Sequence, residues 1–163
     1  MERTITGFTA DTAGDWVAEL SCGHRRHVRH RPPFEERRWV LDAAGRAGRV
    51  GTGIDCGLCD RGELPEGLVP VRTGPVWDES TFPPGLGRRH RLPDGTWGRL
   101  RVHEGRLRVV FGGSGGPGTV VGAGDAVGLP PGVTHAVVPE GPVRFSLDLF
   151  GLPDAAGPGA DPS

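Results

Sequence analysis

The sequence predicts a mainly β protein built of two modules, and three observations predict it. Short segments in which apolar and polar residues alternate recur through residues 62–151, the period of a half-buried strand. Glycine (29 residues) and proline (16) punctuate those segments at short intervals, as in a barrel or sandwich. All three cysteines and three of the six histidines fall in residues 1–61, which marks a module of different chemistry. The expected boundaries are 1–61 for the Cys/His module, 62–151 for the strand-rich module and 152–163 for a disordered tail. The tail sequence, LPDAAGPGADPS, has almost nothing to bury.

Composition narrows the function before any motif does. The formal net charge is −1, so the molecule as a whole exerts no long-range pull on nucleic acid or anionic lipid. No apolar run approaches the roughly 18 residues of a spanning helix, and no signal-like apolar region follows the start. A cytoplasmic protein without a membrane partner is the expectation. All 19 basic residues are Arg, and Lys, Asn, Gln and Tyr are absent. That bias fits a GC-rich genome, so the arginines do not by themselves indicate phosphate recognition.

The first module begins with a strand over Ile5–Ala10, a turn at Asp11–Gly14 and a second strand over Asp15–Cys22. Along the latter, Trp16, Ala18, Leu20 and Cys22 share one face, and Val17, Glu19 and Ser21 the other. The hairpin delivers Cys22 at its end. A His/Arg-rich loop follows, stopped by Pro32 and Pro33, and Trp39–Ala47 is expected to hold a short helix ended by Gly48. Between Cys22 and Arg38 lie six Arg, two Glu and three His. That excess suits either a solvated surface or a phosphate-contacting loop. The balance of composition argues against nucleic acid as a partner.

The module closes with Cys56-Gly57-Leu58-Cys59, whose spacing lets two thiolates grip one metal around a tight turn. Cys22 and a histidine complete a zinc-ribbon-like set. His24 is the favoured fourth ligand because it shares the strand parity of Cys22, with His27 as the alternative and His30 also within reach. The competing reading leaves the cysteines as buried or free thiols. A module of about 60 residues is marginal without help, and a structural zinc supplies an apparent 10–16 kcal/mol or so of folding free energy. The run I-x-G-F-x-x-D-x-x-G-D-W-V-A-x-L-x-C-G-H-x-x-H-V-R-H-x-P-P-F, from Ile5 to Phe34, together with the later C-x-x-C, resembles a small bacterial domain of unknown function. The resemblance implies metal binding through these Cys and His residues and carries no activity.

In the second module, strands over Trp97–His103 and Arg106–Phe111 flank a Glu104–Gly105 turn. After a flexible Gly112–Gly118 connection come Thr119–Val121, Ala126–Leu129, a return strand starting at His135, and a final strand. In that last one Val143, Phe145, Leu147 and Leu149 alternate with Arg144, Ser146, Asp148 and Phe150. Residues Gly124 to His135 fit G-x5-P-x-G-x2-H at every fixed position. This resembles the second motif of the cupins, and implies a cupin-type (double-stranded β-helix) barrel with His135 pointing inward. The first cupin motif is broken: counting back from Gly105, its Glu position falls on Gly98, and only His90 survives nearby. The candidate pocket ligands are therefore His90 and His135, with Glu79 as a weaker third, for a second divalent metal; pocket residues without metal are the alternative. His103 has the outward parity.

The flanks extend the likeness. Gly74-Pro75-x-Trp77-Asp78-Glu79-x-Thr81-x-Pro83, Gly85-Leu86-x3-His90 and Gly95-x-Trp97-Gly98-x-Leu100-x-Val102-x-x-Gly105 resemble the TehB/YeaR-like cupin family over residues 63–151. The resemblance implies a link to tellurite or nitrogen-oxyanion responses and allows a homodimer. It brings no methyltransferase with it, since nothing here has a cofactor-loop context. The function expected is binding of a small polar or anionic ligand, with Arg88, Arg89 and Arg91 placed to attract an anion near His90. The alternatives are a metal-dependent cupin enzyme, and a regulatory module whose zinc domain binds nucleic acid or a partner.

Overall fold

Residues 1–112 and 118–153 are described by a computed structural model. Strands dominate both units into which the chain divides, Met1–Arg61 and Gly62–Ser163. Much of the expected Gly112–Gly118 connection and of the expected tail therefore lies outside the described residues. Among those described, no helix is long and apolar enough to cross a membrane.

In the first unit, β1 (Glu2–Ala10), β2 (Trp16–Leu20), β3 (Arg25–His27) and β4 (Gly53–Asp55) form one antiparallel sheet in the order β3-β2-β1-β4. The β1–β2 turn is held by Asp11, whose Oδ1 accepts from the backbone N–H of both Ala13 and Asp15 at 2.9 Å. Ile5, Val17, Leu20, Val28 and Val40 are buried.

Several expectations shift here, each for a local reason. The second strand ends at Leu20 rather than Cys22, because Gly23 takes a positive φ of 86° and Leu20 N bonds to His24 O across a tight turn. The basic loop contains β3, paired with Val17–Glu19. The expected Trp39–Ala47 helix divides into a 3-10 turn at Arg38–Val40 and α1 (Ala43–Ala47). Asp42 interrupts it by capping α1, its Oδ1 accepting from Gly45 N at 2.7 Å. A further short helix, α2 (Gly57–Asp60), starts directly after Cys56.

The second unit holds β5 (Val69–Arg72), β6 (Val76–Asp78), β7 (His90–Arg91), β8 (Thr96–Glu104), β9 (Arg106–Phe111), β10 (Thr119–Gly122), β11 (Ala126–Leu129), β12 (Thr134–Pro139) and β13 (Arg144–Gly151). One sheet runs β10-β9-β12-β7. The other runs β11-β8-β13-β5, with β6 also paired to β13. Inward residues of both sheets, among them Leu100, Val102, Leu107, Val109, Val137, Phe145 and Leu147, pack into one core, so the two sheets share a single apolar interior. The β8–β9 corner demands glycine: Gly105 has a φ of 73°, and a Cβ there would lie 2.1 Å from Pro142 O.

Candidate functional site

The hairpin turn after β2 and the start of α2 bring four side chains of the first unit together. His24 Nδ1 lies 3.5 Å from Cys22 Sγ, 3.4 Å from Cys56 Sγ and 3.5 Å from Cys59 Sγ, and Cys22 Sγ is 4.0 Å from Cys56 Sγ. A tetrahedral zinc with bonds of about 2.3 Å to sulfur and about 2.0–2.1 Å to nitrogen would separate S from N by about 3.6 Å and S from S by about 3.8 Å. The donor atoms thus sit at the corners such an ion requires, and the group could hold a metal ion such as zinc.

All four residues are buried, and the cysteines form no disulfide. The hydrogen bond that Cys59 donates to Cys22, together with burial, pushes the Cys59 thiol up to about 12. Burial raises Cys56 as well, whereas Cys22 is lowered chiefly because it accepts from Cys59. Three thiols this close do not all ionise unaided; a bound cation removes that barrier by compensating the thiolate charge. The other histidines are engaged elsewhere. His27 Nε2 lies 2.9 Å from Asp11 Oδ2, and His30 Nδ1 accepts from Arg37 N at 3.0 Å. Of the six arginines between Cys22 and Arg38, Arg29 pairs with Asp15 and Arg37 with Glu35, so part of the positive excess is neutralised on the spot.

In the second unit, β7 and β12 pair with His90 opposite His135. His135 is fully buried. Its Nδ1 lies 3.1 Å from Val133 O, and its Nε2 lies 3.2 Å from His90 Nδ1. A carbonyl only accepts, so His135 carries its proton on Nδ1 and presents a bare Nε2. His90 then donates from Nδ1, and its Nε2 is the acceptor left for a ligand. Burial, aided slightly by the neighbouring His90, holds His135 down to about 4, against the opposing bond to Val133 O. The ring stays neutral at ordinary pH.

A cavity of about 290 Å³ opens beside His90. Its walls are mostly apolar, from Trp77, Leu86, Leu92, Leu147 and Leu149, and the exposed Arg72 of β5 also lines it. Gly98 explains part of that character. A Cβ there would lie 2.9 Å from Leu147 Cδ1, 3.0 Å from Leu92 Cδ1 and 3.2 Å from Leu129 Cβ. Leucines occupy the room a carboxylate would need.

Glu79, expected as a third ligand, is placed elsewhere: its Oε2 accepts from Val143 N at 3.0 Å. Among the described residues no third Cys, His or carboxylate joins His90 and His135 as a metal-holding group. His103 meets Ser146 Oγ at 3.0 Å, away from the imidazole pair. Arg88, Arg89 and Arg91 do not line the cavity, and exposed Arg91 lies 3.7 Å from Asp94. Sequence reasoning missed Arg72. It sits on a four-residue edge strand of alternating Val, Pro and Arg, and only its pairing opposite Leu149 brings it to the pocket.

Residues 6–63 match a family described as a protein of unknown function (DUF3565), and residues 72–147 match the TehB-like domain. Each match covers less than half of the chain. No curated protein matches it. Among solved structures, a protein from E. coli (strain K12) is 23% identical, with a TM-score of 0.51 over 56% of this chain and 98% of that one. TehB from Haemophilus influenzae is 21% identical, with a TM-score of 0.50 over 53% of this chain and 32% of that one. The chain thus spans about a third of the length of that TehB, and at these identities both likenesses bear on the fold alone.

Proposed function

We propose that this is a cytoplasmic protein of two modules, residues 1–61 stapled by one zinc ion and residues 62–151 forming a cupin-type barrel. The barrel binds a small polar or anionic ligand, in a response to tellurite or nitrogen oxyanions. The zinc assignment is supported by the three-sulfur, one-nitrogen donor set and its spacing, which suit a closed structural site. The binding assignment is carried by one observation: a paired imidazole, His90 on His135, borders a cavity of about 290 Å³ that Arg72 also lines. A concave apolar site with a few converging polar groups is the usual form of a small-molecule pocket.

Elemental analysis and thermal melting of the intact chain test both halves. One zinc per chain is expected. A ligand at 100 times its dissociation constant should add about 2.7 kcal/mol of stability. Absence of zinc, or the lack of any melting shift across a panel of small anions and polar metabolites, would overturn the corresponding half. A metal-dependent enzyme is the second reading. It takes the 3.2 Å nitrogen separation as the edge between two ligands of one divalent ion. A second metal equivalent, lost in His90→Ala, would favour it.

A further inference from the structure

The pocket reading above leaves the ligand's chemistry open, and this inference rests on that reading. We propose that the barrel takes a small hydroxy-substituted organic acid with an apolar body, carboxylate on Arg72, hydroxyl on His90, and hydrocarbon against Trp77 and the leucine wall.

Three features of the cavity converge on that class. Volume comes first. At about 30 Å³ per water-sized group, a cavity of about 290 Å³ has room for about ten non-hydrogen atoms. A bare oxyanion of about four or five atoms would leave most of the wall uncovered. Second, the wall itself is Trp77, Leu86, Leu92, Leu147 and Leu149, so the occupant gains affinity mainly by removing hydrocarbon from water. A fully hydrated anion gains nothing from those five side chains. Third, the polar groups are two and dissimilar. Arg72 forms no ion pair among the described residues and offers a charge-assisted fork suited to a carboxylate. His90, with Nδ1 committed to His135, has Nε2 left as an acceptor, which calls for an O–H rather than a second carboxylate oxygen.

The experiment is isothermal titration of the full, zinc-loaded chain with four probes: leucate, isocaproate (the same skeleton without the hydroxyl), isocaproamide and tellurite. Isocaproate should bind about tenfold more tightly than isocaproamide, the usual worth of a charge-assisted contact, and leucate several-fold more tightly than isocaproate. Arg72→Met, which keeps the apolar stem, should erase the advantage of acid over amide. His90→Phe, which keeps a ring, should erase the advantage of hydroxy acid over plain acid. Circular dichroism of each variant confirms that the fold is retained. Equal affinities for isocaproate and isocaproamide, equal affinities for leucate and isocaproate, or unchanged leucate binding in Arg72→Met, would overturn the inference. Binding of tellurite alone, lost in His90→Phe, would overturn it while leaving the broader anion-binding function standing. No binding of any probe would bring down both.

Discussion

Stripping the zinc proposed for the Cys22/His24/Cys56/Cys59 cluster should unfold residues 1–61. The buried apolar side chains of this unit, apart from the cluster, are essentially Ile5, Val17, Ala18, Leu20, Val28 and Val40, a small core for about 60 residues. The donor geometry, with three S···N distances of 3.4–3.5 Å, is already that of a coordinated ion, so binding would require little rearrangement. The linked folding free energy is then of the full order for such sites, about 10–16 kcal/mol. That matches or exceeds the roughly 5–15 kcal/mol by which whole domains are stable. The assay is a 1H–15N correlation spectrum of the full chain before and after chelation, with metal content measured in parallel. Amides of residues 1–61 should collapse to the random-coil region, and those of the strands from β8 to β13 should persist. Cys59→Ser should do the same without chelator. A metal-free sample with the dispersion of residues 1–61 intact would falsify the argument.

Three further outcomes are expected. His135 has a folded-state value of about 4 against an ordinary 6.5. The folded state therefore resists a proton that the unfolded chain accepts, and stability is whole above about pH 6.5 and declines as pH falls toward 4. The loss is on the order of 3 kcal/mol, read from denaturant midpoints across that window, and a flat profile would contradict it. Gly105→Ala combines a positive φ with a Cβ 2.1 Å from Pro142 O. It should cost about 2–4 kcal/mol, measured by thermal melting; a change under about 0.5 kcal/mol would show that the corner is slack. Gly98→Ala should cost about 1–3 kcal/mol and shrink the pocket, which a loss of leucate affinity larger than the loss of stability would reveal.

What the sequence disclosed follows from how local each feature is. The cysteine site was readable because Cys56-x-x-Cys59 and Cys22-x-His24 each build half a tetrahedron within one turn, and spacing along the chain encodes that geometry. Strands β8, β9, β11 and β13 were readable because their apolar residues face one shared core at period two. Strand β3 was not, since Arg25, Arg26 and His27 carry no apolar alternation and the strand exists only by pairing with β2. The same holds for β5 and β7, which are short and polar or proline-bearing. Their partners β13 and β12 hold them, and those partners lie more than 40 residues downstream. The His90–His135 contact was partly foreseen from the second motif. Its companion Arg72 was not, because nothing within a few residues of it signals a pocket.

The crowding around Gly98 has a consequence for how this two-sheet unit can change. A carboxylate installed at that position would have to push aside the Leu147 and Leu92 methyls that stand 2.9 and 3.0 Å from its Cβ, so a hydrocarbon-lined chamber gives way to an ion-holding one only as those side chains rearrange.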